Sequence, residues 1–91
     1  MIRSFRHKGL RDLFAGDDPS GVRPDLVARC RRILAALHAA RRQEDLNLPG
    51  WRLHPLRGRP RRWAVAVNGP WRVTFEWQDG DALRVDLEQY H

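Results

Sequence analysis

His54, Tyr90 and His91 are the proton-carrying side chains in the second half of this 91-residue chain, and arginines surround them in sequence. RNA carries its own nucleophile, the 2′-OH. A ribonuclease that works without a metal needs a group to take that proton, a donor for the departing 5′-oxygen and cations for the crowded phosphate. Imidazole titrates near neutral pH and can fill either proton role. Guanidinium grips phosphate through paired N–H donors. Pro55 keeps the backbone of His54 extended, which limits where its ring can go. Each residue also has a plainer reading. A lone histidine more often makes a surface hydrogen bond, Arg72 can pair with Glu76 four residues along on the same face, and Tyr90-His91 can be a frayed end.

Such groups are useful only if regular elements position them. Residues 2–6 read as a short strand, and His7 to Ala15 as a short helix with Leu10, Leu13 and Phe14 on one side. Turn-forming residues from Gly16 to Gly21 break the chain. Pro24 suits the first turn of a second helix, with Asp25 near its positive end and Arg41-Arg42 near its negative end. Leu26, Cys30, Ile33, Leu34 and Leu37 form one apolar stripe, with Arg29, Arg32, Arg41 and Arg42 off it. After Leu48-Pro49-Gly50 the period drops to two. Trp63, Val65 and Val67 alternate with Ala64, Ala66 and Asn68. Trp71, Val73, Phe75 and Trp77 alternate with Arg72, Thr74, Glu76 and Gln78, and Leu83, Val85 and Leu87 with Arg84, Asp86 and Glu88. Asn68-Gly69 and Asp79-Gly80 signal hairpins. The expected fold is α+β, two N-terminal helices packed on one face of a small, mainly antiparallel sheet, as a single domain over residues 1–91. The 2–6 segment and a strand near Trp51 are expected to complete the sheet.

Alternation leaves Arg52, His54, Arg72, Thr74, Arg84 and Tyr90 on the face away from the helices, with small Ala64 and Ala66 between them. That pattern describes a shallow trough in which a single RNA strand can lie. Arg57, Arg59, Arg61 and Arg62 form a basic loop beside it, to grip the RNA backbone or simply to sit in solvent. The four tryptophans fall mostly on the core side and read as packing.

Composition fits a polyanionic partner. Seventeen basic residues face 11 acidic ones for a net charge of +6, and Lys8 is the only lysine. Cys30 stands alone, which excludes an internal disulfide and suits a reducing cytoplasm. No apolar run is long enough for a signal peptide or a membrane span. His7, His38, His54 and His91 are too scattered for a metal site, and no cofactor is expected.

The ordered blocks Leu53-His54-Pro55-Leu56-Arg57-Gly58, Trp71-Arg72-Val73-Thr74-Phe75 and Tyr90-His91 follow an opening Ile2-Arg3-Ser4-Phe5-Arg6-His7-Lys8-Gly9-Leu10. Together they resemble the HigB-type toxins of bacterial toxin–antitoxin pairs, within the RelE superfamily. The resemblance implies a RelE-like fold and an endoribonuclease (an mRNA interferase) that cuts messenger RNA in the ribosomal decoding site, beside 16S rRNA. It also implies neutralisation by a HigA-like helix-turn-helix antitoxin, with operator DNA reached only through that partner. The family's active-site histidine falls on His54, its strand arginine on Arg72, and its terminal pair on Tyr90 and His91. A basic residue that is commonly lysine is Arg57, and an acidic residue before the terminal pair is Gln89. Arg52, Arg59, Arg61, Arg62 and Arg84 would bind RNA. Arginine donates protons poorly, and glutamine cannot support an imidazolium. Weak or moderate cleavage is therefore expected. The alternative is a catalytically weakened RNA- or ribosome-binding module that acts with its antitoxin in operon autoregulation. Glu88 offers a partial replacement for the missing acid, although alternation places it differently. Arg29, Arg32, Arg41 and Arg42 are the expected contacts for an acidic or apolar antitoxin surface.

Overall fold

Apolar residues recur at helical spacing up to Leu37 and alternate from Trp63 onwards, and the backbone follows both periods. The structure, a computed structural model, describes residues 1–89. Helix α1 spans Lys8–Gly16 and α2 spans Val27–Ala39. Four strands follow, β1 His54–Leu56, β2 Arg62–Asn68, β3 Trp71–Gln78 and β4 Asp81–Gln89, paired antiparallel in chain order. The helices pack on one face of this sheet, so the expected α+β architecture holds.

His7 ends the extended entry to α1 and accepts the Leu10 N–H on Nδ1 at 3.1 Å, which satisfies one of the free donors of the first turn. Gly9 is needed because α1 touches the loop behind it. A Cβ there would lie 2.2 Å from the Gly21 carbonyl oxygen. Pro24 opens a 3-10 turn, Pro24–Leu26, that runs directly into α2. Leu26, Cys30, Ile33, Leu34 and Leu37 are all buried, as the stripe requires. They meet Val65, Val73, Phe75 and Val85 from the inner face of the sheet, and each fully buried large side chain contributes about 1.5–3 kcal/mol. Cys30 lies among them, and burial pushes its thiol up to about 11.

Several details differ from expectation. Phe14 is more than one-third exposed and lies against Phe5 and His38 rather than in the core. Helix α2 stops at Ala39 because Ala40 is extended, so Arg41 and Arg42 lie beyond the helix end, before a further 3-10 turn, Gln43–Leu46. Trp51 belongs to a turn, and the first strand begins at His54. Residues 2–6 do not form a continuous strand. They run parallel to β4 through two isolated bridges, Ile2 to Ala82 and Phe5 to Val85, with the Ser4 hydroxyl taking the Arg84 N–H between them. Arg84 has a φ of 49° and sits in a β-bulge opposite Phe75. The bulge shifts alternation in β4 by one residue. Ala82, and not Leu83, therefore enters the core with Val85 and Leu87.

The two hairpins are as expected. Asp79 and Gly80 both have positive φ, the type I′ geometry whose twist suits neighbouring strands. Gly9→Ala should destabilise the fold by about 1–3 kcal/mol, because backbone rather than a flexible side chain blocks the new methyl. Urea unfolding measures this, and an unchanged midpoint would mean that the loop yields.

Candidate active site

Sheet register decides which side chains share the outer face. His54 pairs with Ala64, Ala64 with Thr74, and Thr74 with Asp86. Two residues along, Ala66 pairs with Arg72 and Arg72 with Glu88. Two residues the other way, Leu56 pairs with Arg62, Arg62 with Glu76, and Glu76 with Leu83. His54 and Arg72 thus share the face away from the helices, with Cα atoms roughly 12 Å apart from strand spacing and rise. Both side chains are long enough to approach a phosphate lying between them.

The His54 ring is exposed, and its Nδ1 lies 2.8 Å from the Arg52 carbonyl oxygen. A carbonyl only accepts, so Nδ1 carries a proton and, in the neutral tautomer, Nε2 is the nitrogen left to act as a base. Arg52 itself has a φ of 53°, which turns the chain so that its carbonyl meets the ring two residues on. The segment before it is braced from α2. The Arg29 guanidinium donates to the carbonyls of Gly50 and Ala66, both at 3.3 Å, and lies 5.5 Å from the Trp51 ring centroid. Arg29 is therefore not the free helical arginine that the sequence suggested. The signal for this was its spacing, three residues after Leu26 and four before Ile33, which puts it on the margin of the apolar stripe.

The remaining arginines divide into two sets. Arg72 donates to the carbonyl oxygens of Gly69 and Trp71 at 2.7 and 2.8 Å, so it is held over its own hairpin and not by Glu76. Glu76 pairs instead with Arg84. That hydrogen bond holds the Glu76 carboxyl below its ordinary value, against a smaller opposing effect of burial. Arg62 donates to both oxygens of Glu88 at 3.0 and 3.1 Å. Arg62, Arg72 and Arg84 on this face thus stand against Glu76, Asp86 and Glu88, so β2–β4 carry no net positive charge there. The excess lies at the β1 edge. Arg52, Arg57, Arg59 and Arg61 are exposed, and among the described residues their side chains make no hydrogen bond or ion pair.

The expected trough is also less open than alternation alone implied. Ala64 and Thr74 have no exposure at all. Gln89 pairs with Trp71, which puts it one step out of phase with Arg72 and Glu88. Glu88, in contrast, shares the outer face directly opposite Arg72. Tyr90 and His91 lie outside the described residues. Among the described residues no three His, Cys, Asp or Glu side chains converge on a point where a metal ion could sit. No helix among them is long and apolar enough to cross a membrane.

A family profile described as "RelE-like toxin of type II toxin-antitoxin system HigB" matches residues 3–91. The chain belongs to this family of HigB-like toxins. It is similar to "Endoribonuclease HigB" of Proteus vulgaris, at 41% identity over 92 residues covering 100% of both chains. It is also similar to "Toxin HigB-1" of Vibrio cholerae serotype O1, at 31% identity over 93 residues covering 99% of this chain and 98% of the relative. Membership of a type II system makes an antitoxin the partner of this HigB-like toxin.

The Glu76–Arg84 pair gives a pH dependence of known sign. The folded-state carboxyl titrates below the ordinary 4.5, so the pair's stabilisation is present above that value and is lost as pH falls through the folded-state pKa. Glu76→Gln should lower stability near neutrality and flatten its decline below about pH 4.5, as read by thermal unfolding across pH. A decline as steep as that of the unsubstituted protein would mean that other carboxylates dominate. Arg29→Ala should cost about 1–2 kcal/mol, since it removes both carbonyl contacts behind His54. The same unfolding measurement checks it, with no loss as the contrary result.

Proposed function

We propose that this HigB-like toxin is a ribosome-dependent mRNA endoribonuclease, acting in the cytoplasm beside 16S rRNA by attack of the RNA 2′-oxygen, with no metal in the chemical step. The observation that carries this is the shared outer face of His54 and Arg72, with the Nε2 of His54 left available by the Nδ1 contact to Arg52. The name of the Proteus relative supports the nuclease reading.

In this mechanism the His54 Nε2 accepts the 2′-OH proton as the 2′-oxygen bonds to the adjacent phosphorus. The bond from phosphorus to the 5′-oxygen breaks, and that oxygen takes a proton from His91 or Tyr90. The products carry a 2′,3′-cyclic phosphate and a 5′-hydroxyl. Arg72 stabilises the charge that builds on the phosphorane, which is where a fixed donor contributes most. Arg57 holds phosphate at the β1 edge, and Arg52, Arg59 and Arg61 bind the flanking RNA. Arg62 and Arg84 contribute less charge, because Glu88 and Glu76 already engage them. Gln89 cannot support an imidazolium, so turnover is modest. A HigA-like helix-turn-helix antitoxin neutralises the toxin and carries it to operator DNA. Arg32, Arg41 and Arg42 are exposed contacts for that partner, without Arg29.

A second reading, a binding module that acts mainly with its antitoxin, is favoured by Gln89 and by the ion pair across the trough. Primer extension on translated messages, with and without ribosomes, separates the two. Cleavage is expected only with ribosomes, and a toxin inert on them would favour the module. Arg72→Ala should lower the rate on the order of 10²–10³-fold. His54→Ala should lower it and flatten its pH dependence near neutrality. Gln89→Asp should raise it. Unchanged cleavage in the His54→Ala, Arg72→Ala double variant would remove this site from the mechanism.

A further inference from the structure

Thr74 occupies the centre of the outer face. It stands in the same row as His54, Ala64 and Asp86, and one row-step from both Arg72 and Glu76 on its own strand. Its side chain has no exposure, yet among the described residues its Oγ1 has no hydrogen-bond partner. A buried hydroxyl without a partner costs stability, and nothing in the packing of an antiparallel strand demands one, since valine fills the same space. What lies above Thr74 follows from register. Arg62 on β2 is level with Glu76, and Glu88 on β4 is level with Arg72. A line between them crosses β3 at Thr74, so the Arg62–Glu88 ion pair passes over the hydroxyl. Both side chains of that pair keep part of their surface in solvent, at 31% and 25% exposure. The pair is thus reachable by an anion arriving from solvent.

We propose that Thr74 is a substrate-contacting residue whose hydroxyl donates to a non-bridging oxygen of the RNA phosphate. The inference rests on the nuclease reading above and deepens it. An incoming phosphate competes with Glu88 for Arg62, and the guanidinium that leaves the carboxylate meets the phosphate instead. That exchange uncovers Thr74 between His54 on one side and Arg72 on the same strand. The hydroxyl then gains its missing partner, and the Arg62–Glu88 pair keeps water and other anions off it until RNA arrives. The unsatisfied hydroxyl is thus kept at a cost to the free protein because the bound state uses it.

The test compares Thr74→Val with Thr74→Ser in the full chain. Thermal unfolding of the free toxin is read first. Binding is measured on ribosomes programmed with a message carrying a 2′-deoxy nucleotide at the cleavage position, and single-turnover cleavage on the all-ribose message. Thr74→Val should unfold at the same temperature or up to about 4–8 °C higher. It should bind and cleave on the order of 10–100-fold less well, the effect of removing a hydrogen bond to a charged group. Thr74→Ser should restore both. A lower unfolding temperature in Thr74→Val would show that the hydroxyl supports the fold, and unchanged binding and cleavage would show that it touches no substrate. Either result overturns the proposal. If the unsubstituted toxin binds but does not cleave, the nuclease reading fails, and the binding difference between valine and serine alone decides the Thr74 contact.

Discussion

The pairing of Ala64 with Thr74 and of Ala66 with Arg72 fixes both faces of the sheet together. Side chains alternate with a period of two, so the register that buries Val65, Val73 and Phe75 also turns Arg72 and Thr74 outward. A slip of one residue would expose the apolar set and bury the arginine beneath the helices. The core therefore enforces the geometry of the site, and the stripe on α2 is as much a condition for placing Arg72 as any contact on the outer face. His54 depends on the same register through a single short strand, His54–Leu56, and for that reason needs the brace from Arg29 and the carbonyl of Arg52.

Charge on the outer face is organised as a gradient. Toward β4 each arginine has a carboxylate near it, and toward β1 the arginines of the 57–61 loop have none among the described residues. A polyanion is drawn first to the β1 edge, where His54 lies. In the proposal made for Thr74, it reaches the centre of the sheet by competing with Glu88 for Arg62. Fields from the arginines of that loop act over about 10 Å or less at ordinary salt. Steering and selectivity are thus assigned to different parts of one surface.

The class of fold, the two hairpins, the buried stripe and the common face of His54 and Arg72 were legible in the sequence, because all depend on periods and turn chemistry. Three features were not. The bulge at Arg84 gave no turn residue to announce it, so Leu83 was expected inside and Ala82 fills that place. The engagement of Arg29, Arg62 and Arg84 depends on contacts over 21 or more positions for two of them, and pattern reading cannot see such distances. Nor does alternation show that Ala64 and Thr74 have no exposure, since it gives the face a side chain takes and not what covers it. Tyr90 and His91, drawn from family resemblance, lie outside the described residues.

In the proposed site Gln89 stands where the resemblance implies an acid, and Glu88 is its neighbour. Glu88 cannot take over the role of an acid at 89 by sequence proximity, because one step along a strand reverses the face. Its carboxylate lies opposite Arg72 and on Arg62, where it lowers the attraction of the trough for phosphate. A second carboxylate close by would deepen that deficit. With glutamine at 89, the end of β4 gains a neutral hydrogen-bonding group and no further repulsion toward RNA. In the proposed nuclease, glutamine at 89 would therefore favour phosphate binding over proton transfer. In the proposed nuclease the rate of the chemical step and the affinity for RNA would be tuned by different residues of the same strand, so weak catalysis would not imply weak capture of the message.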